Sequence, residues 1–263
     1  MNFSKNDIHD LRYAKELLEN PNFLVTLSHY IGEPIELGLN ALPEKLKTQI
    51  NEKVRVLLQR ALHLSVTTMG DTGTFLQSEW AHKTGAGVLG AVGGVFGIKG
   101  ALVELPFTTT LLLRAIGAIA LEQGEDLNRL ESRLACLEVF ALGSPASNLD
   151  DAAESGYYAV RIALAKAINK AAAHIAAKGL GEESAPVILR LITKIASRFS
   201  IVVTEKLAAK AVPVIGAIGG STVNVLFMNH FQNMATGHFI VRRLERKYGE
   251  EQVEKEYNSI YLE

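Results

Sequence analysis

The sequence holds 263 residues, 48% hydrophobic and 21% charged, with a formal net charge of −1 and a pI near 6.7. That balance argues against a general nucleic-acid binder, which needs a strongly basic face, and the length suffices to bury a substantial core. A single cysteine, Cys136, excludes an internal disulfide and a thiolate metal cluster, so a reducing, cytoplasmic setting is expected. The N-terminus, Met1-Asn-Phe-Ser-Lys-Asn-Asp, lacks the basic start and apolar stretch of a secretory signal.

Helical periodicity runs through the whole chain, and strands are expected to be few or absent. The first helix is expected over Asp7 to Asn20, ending at Pro21, and a short second one reaches Tyr30 before Gly32 and Pro34. Pro43 opens a long amphipathic helix carrying Leu46, Ile50, Val54, Leu57, Leu58 and Leu62. A glycine-rich apolar helix starts near Thr84 and should kink or end at Pro106, which lacks a backbone donor. Another follows from Thr108 to Leu121, closed by Gly124. Asn128 with Glu131 reads as a capping box for a helix through Leu142. Asp150 or Asp151 should start an alanine-rich helix that Gly179 ends after Lys178. Ser184 and Pro186 open a helix through Lys210. After Pro213 a long helix is expected from about Gly220 to Lys247, and a charged tail helix reaches Tyr257. The predicted fold is an all-α, multi-helix bundle with two glycine-rich apolar helical segments packed together.

Glycine inside a helix costs roughly 1 kcal/mol relative to alanine, so the cluster at Gly85 to Gly100 calls for close packing. Gly90 with Gly94 and Gly93 with Gly97 have the spacing that lets helix backbones touch. With Gly216, Gly219 and Gly220 they form the expected packing seam. Charge is scarce in the same places. Between Lys210 and Arg242 there is no charged residue at all. The uncharged part of the first segment, Gly85 to Ile98, would rise about 21 Å, short of a ~30 Å hydrocarbon core. Ala211 to Met228 is nearer the limit, but basic residues flank it on both sides, which does not fit a single oriented span.

Candidate chemistry is sparse. Two histidines, His230 and His238, sit eight residues apart on one helix, roughly 12 Å along its axis, too far to share a metal. Glu104 is a lone carboxylate two residues before Pro106. It is expected either to satisfy backbone donors freed there or to pair with Arg114, Arg161, Arg198 or a C-terminal arginine, because an unpartnered buried carboxylate is costly. No phosphate loop, nucleophile elbow or HExxH motif occurs, and no metal site or cofactor is expected.

Several longer blocks resemble the EcsC family of bacterial proteins. They are Glu104-Leu-Pro-Phe-Thr-Thr-Thr-Leu-Leu-Leu-Arg114, Gly124-Glu-Asp with Arg133-Leu-Ala-Cys-Leu-Glu-Val-Phe-Ala-Leu-Gly143, and Tyr157-Tyr-Ala-Val-Arg161. Further on come Ile195-Ala-Ser-Arg-Phe199, Val212-Pro-Val-Ile-Gly-Ala-Ile-Gly-Gly220, Asn229-His-Phe-Gln-Asn-Met-Ala-Thr-Gly-His-Phe239 and Arg242-Arg-Leu-Glu-Arg-Lys-Tyr-Gly249. The likeness covers about Lys83 to Tyr257. It suggests an N-terminal helical region over 1–82 and a family core over 83–257 within one globular unit. The family takes its name from a protein encoded beside the two components of an ABC transporter, and the resemblance transfers no catalytic residue.

The expected function is therefore that of a non-enzymatic cytoplasmic protein associating peripherally or reversibly with the inner face of the membrane, as an accessory to a transporter. Membrane lipid or a membrane protein is the expected partner, and nucleic acid is not. Arg242, Arg243, Arg246 and Lys247 are the candidates for contact with anionic headgroups. Two alternatives stay open: a hydrolase-type enzyme with a polar pocket around Glu104, His230 and His238, and a soluble bundle enclosing a lipid.

Overall fold

The computed structural model describes residues 3–19, 23–31, 36–69, 97–144, 156–211 and 220–262. The helices are α1 (Lys5–Glu19), α2 (Phe23–Ile31), α3 (Glu36–Ala41), α4 (Glu44–Thr68) and α5 (Gly97–Glu122). Then come α6 (Leu130–Glu138), α7 (Tyr157–Lys178), α8 (Ala185–Ala211), α9 (Gly220–Tyr248) and α10 (Glu250–Ser259). Short 3₁₀ turns at Val139–Ala141 and Glu182–Ser184 extend α6 and lead into α8. No strand occurs among the described residues, and the all-α bundle follows from the helical periodicity alone.

Two long helices organise the packing. α8 lies against α4, α7, α3, α5 and α9, and α9 lies against α1, α2, α5 and α10. Their meeting point is aromatic: Phe199 of α8 stands 5.4 Å from Phe231 and 6.3 Å from Phe227 of α9, and Phe140 closes the group at 4.9 Å from Phe199. These spacings are those of edge and tilted ring contacts, which add to the apolar area the rings remove from water. α5 and α9, which follow the two glycine-rich segments in the sequence, pack directly on each other. Of the seam itself, Gly97 and Gly220 begin α5 and α9; Gly90, Gly93, Gly94, Gly216 and Gly219 lie outside the described residues, as do the expected helix starts at Thr84 and at Asp150 or Asp151.

Two local expectations are corrected. Pro106 neither ends nor divides its helix, since α5 runs through it from Gly97 to Glu122. An interior proline forfeits a hydrogen bond and costs about 3 kcal/mol. The burial of Leu105, Leu112, Leu113 and Ile116 against the surrounding helices offsets that loss. Asn128 does not cap α6; the N-cap is Arg129, with no side-chain cap. The backbone N–H and side-chain amide of Asn128 both donate to Asp126 Oδ1 at 3.0 Å, so a local turn captures the residue first.

One segment among the described residues, Leu102–Glu122, has the length and the mean hydropathy of 1.5 that a bilayer crossing needs. The core helix of a globular protein meets the same criteria. α5 has packed neighbours on several sides in α9, α4, α8 and α6.

Close approach of α1 and α9 depends on Gly237, where an added Cβ would stand 2.7 Å from Leu18 Cγ and 2.9 Å from the backbone oxygen of Ala14. A backbone oxygen cannot rotate away. Gly237→Ala should therefore destabilise the protein by about 1–3 kcal/mol despite alanine's better helix propensity, read as a lower urea midpoint at unchanged slope.

Candidate functional site

Glu104 enters the interior from α5, a helix with little other charge, and meets two lysines one turn apart on α8. Its Oε1 lies 2.8 Å from Lys206 Nζ and 2.9 Å from Lys210 Nζ, with all three side chains buried. The i, i+4 spacing puts both ammoniums on one face of α8. Lys206 also stands over the Phe227 ring of α9, 4.4 Å from its centroid, so the cluster ties three helices together. Burial works against ionisation of Glu104, and the two ammoniums overcome it and hold its carboxyl below the ordinary range. Burial pulls Lys206 down to about 8 against the opposing pull of Glu104. One carboxylate and two ammoniums leave a net positive charge. Glu104 Oε2 and Asn224 Oδ1 are buried beside no hydrogen-bond partner. The pairing expected with an arginine is thus corrected: the partners are Lys206 and Lys210.

His238 belongs to a separate cluster. Its Nδ1 is 2.9 Å from the Tyr157 hydroxyl, and its Nε2 is 3.8 Å from Glu138 Oε2, too long for a hydrogen bond. Beside it, Arg161 grips Glu245 with both terminal nitrogens at 2.5 and 3.0 Å, and Tyr158 donates to the same carboxylate at 3.2 Å. Burial pushes the Glu138 carboxyl up to about 7. It also drives His238 well down, with Arg161 and Arg242 adding to the effect. His238 is accordingly neutral at physiological pH, and its ring makes a core hydrogen bond to Tyr157 and packs against Phe239.

His230 lies elsewhere on α9, 5.6 Å from Phe23 and 5.0 Å from Phe231 by ring centroids. Its ring occupies the space a side chain at Gly143 would need, since a Cβ there would be 2.7 Å from His230 Nε2. Gly143 also has φ +70, a left-handed conformation that glycine adopts without strain. Burial takes His230 down to about 4. Glu104, His230 and His238 therefore occupy three environments with separate neighbours, and the structure brings no two of them together as an acid–base pair. Among the described residues no group of three or more His, Cys, Asp or Glu could hold a metal ion.

The four cations proposed for headgroups are already engaged. Arg242 holds Glu125 through Nε at 2.8 Å and a terminal nitrogen at 3.2 Å, and Arg246 bonds the same carboxylate. Arg243 pairs with Asp10 at 2.6 Å and Lys247 with Asp7 at 2.8 Å. These contacts assign them an intramolecular role, joining α9 to α1 and to the turn after α5. Sequence reasoning overlooked Tyr157 and Glu138 and treated Lys206 and Lys210 as flanking charges. The signal for the lysines was present: two cations at helical spacing among Leu207, Ala208 and Ala209, with a lone carboxylate needing a partner.

Removal of Glu104 would leave two buried ammoniums without a counter-ion, so Glu104→Ala should cost about 3–5 kcal/mol. Lys206→Met keeps one Glu104–Lys210 pair and should cost less; equal losses in chemical denaturation would refute the shared-carboxylate account. Glu205, the neighbour of Lys206, is buried and lifted by burial from 4.5 to about 7. Between those values the folded protein keeps a proton that the unfolded chain has released, so this group's contribution falls as pH rises through the window. Glu205→Gln should match the parent at pH 4 and exceed it at pH 8 by up to about 3 kcal/mol, measured by urea unfolding at both pH values.

No curated protein and no solved structure matches the chain. The family model matches residues 8–244, reaching back across α1 to α4, which the block-by-block resemblance from Lys83 onward did not include. The chain belongs to the EcsC protein family.

Proposed function

We propose that this EcsC protein associates reversibly with the membrane through the end of the bundle where α5 and α9 begin, as a non-enzymatic accessory to a membrane component on the cytoplasmic side. The observation carrying this reading is the coincidence of two features at that end. Val103 and Val225 are 65% and 49% exposed, and they lie beside Glu104 and Phe227, which Lys206 joins at one level of the bundle. The sequence is free of Asp, Glu, Lys and Arg over 85–98, up to the start of α5, and over 211–241, from the end of α8 through most of α9. Exposed apolar side chains next to uncharged sequence suit lipid or an apolar partner better than water.

The basic cluster contributes little to this contact. Val225 and Lys247 are twenty-two residues apart on one helix, about 33 Å at 1.5 Å per residue, and the cations at the far end are paired internally. Binding should then be governed by apolar area and depend weakly on salt. The hydrolase alternative gains no support from three residues in three separate places, and the lipid-enclosing bundle gains none from a cavity half lined by polar groups.

Vesicle flotation tests the proposal. The protein should rise with liposomes at both low and high salt, Val103→Asp with Val225→Asp should keep it in the bottom fraction, and Arg246→Ala with Lys247→Ala should leave flotation unchanged. A parent protein that stays wholly at the bottom in all vesicle compositions defeats the reading.

A further inference from the structure

A cavity of about 410 Å³ opens between α1, α2 and α9. Its volume falls in the range of small-molecule sites, roughly 300–1,000 Å³. α1 contributes Tyr13 and Glu16, α2 contributes Phe23, and α9 contributes Asn229, His230 and Asn233 to its wall. Among the described residues of that wall Glu16 is the only side chain with a formal charge at neutral pH, and none of them is a lysine or arginine. The histidine does not supply the missing cation, because burial keeps it neutral.

The sign of the site follows from those groups. An anion would meet a carboxylate and no counter-charge, and a purely apolar ligand would cover amides and a carboxylate without satisfying them. A cation gains from Glu16, from the amide oxygens of Asn229 and Asn233, and from the aromatic faces of Tyr13 and Phe23. Tyr13 is 47% exposed and stands at the mouth, while Phe23 is buried at the floor. We propose that this cavity binds a small organic ammonium ion, with Glu16 as its counter-ion and the two asparagines as hydrogen-bond acceptors. The ammonium group can belong to a soluble amine or to the amino headgroup of a lipid.

Glu16, Asn229 and Asn233 are exposed, so they can be changed without emptying the core. Titration calorimetry with spermidine and with ethanolamine should show saturable binding that Glu16→Gln weakens at least tenfold and Glu16→Lys abolishes. Glu52→Gln, which neutralises an exposed carboxylate on α4, should leave the affinity unchanged, separating a site from general attraction of polyamines to acidic surface. In a parallel arm, Glu16-dependent recruitment to vesicles of phosphatidylethanolamine over phosphatidylcholine identifies the lipid as the source; binding of the soluble amines alone identifies a free ligand. Absence of both, or Glu16→Gln binding as tightly as the parent, overturns the proposal. Flotation with phosphatidylcholine vesicles through Val103 and Val225 is indifferent to Glu16, so this test fails or succeeds separately from the membrane reading.

Discussion

A carboxylate shared by two ammoniums holds the centre of this bundle. Glu104 reaches from α5 to Lys206 and Lys210 of α8, and Lys206 in turn rests on Phe227 of α9. Dehydrating three charges costs several kcal/mol per ion, and the attraction between them returns that only in one geometry. Apolar side chains of similar volume could slide by a turn and still pack; a shared carboxylate cannot. The cluster thus fixes how far along one another α5, α8 and α9 sit, at the level where the charge-poor ends of α5 and α9 begin. It also sets a limit on what that end can do, because lipid entering as far as Glu104 would confront a buried group of net positive charge.

The opposite end of α9 is held by a different device. Lys247 and Tyr248 both reach Asp7, Arg243 reaches Asp10, and Lys15 donates to the carbonyls of Tyr257 and Ile260 at 2.8 Å. Glu19 accepts from the Tyr257 hydroxyl at 3.0 Å and from the backbone of Tyr157 at 3.2 Å. The first helix is therefore clamped along the last two by polar contacts whose partners are more than two hundred residues apart in most cases. That clamp explains why a basic tail need not imply a surface for anions. Half of its cations have carboxylates waiting on α1, and Arg242 and Arg246 have Glu125.

Much of this fold was legible because the helices punctuate themselves. Pro43, Gly124 and Gly179 stand at the ends the chain actually uses, and apolar periodicity supplies the rest. Pro106 misled because a local rule about a missing donor was read without the burial on either side of it. The same limit applied to Glu104. Its oddity was visible as a single carboxylate in an apolar helix, but its partners lie about a hundred residues away, and nothing in local spacing ranks two lysines above the arginines nearer in the text. His230 and His238 attracted attention as residue types. Only their neighbours, an aromatic floor for one and a tyrosine hydroxyl for the other, separate a core role from a chemical one.

The buried titratable groups have one further consequence when taken together. Burial raises Glu138 and Glu205 to about 7 and lowers His230 to about 4 and His238 well below its ordinary value. In the interval between the carboxylates' ordinary range and that of histidine, the folded state holds two protons on the glutamates that the unfolded chain lacks. It lacks two on the histidines that the unfolded chain binds. The proton difference between folded and unfolded states is therefore small there, and the slope of stability with pH from these four groups nearly vanishes. Above that interval the buried carboxylates dominate and stability declines as they ionise; below it the glutamate difference disappears, and stability declines with falling pH because the unfolded histidines hold protons that the folded core excludes. A core with paired opposite perturbations is in this way steadiest under mildly acidic conditions, without any single residue acting as a switch.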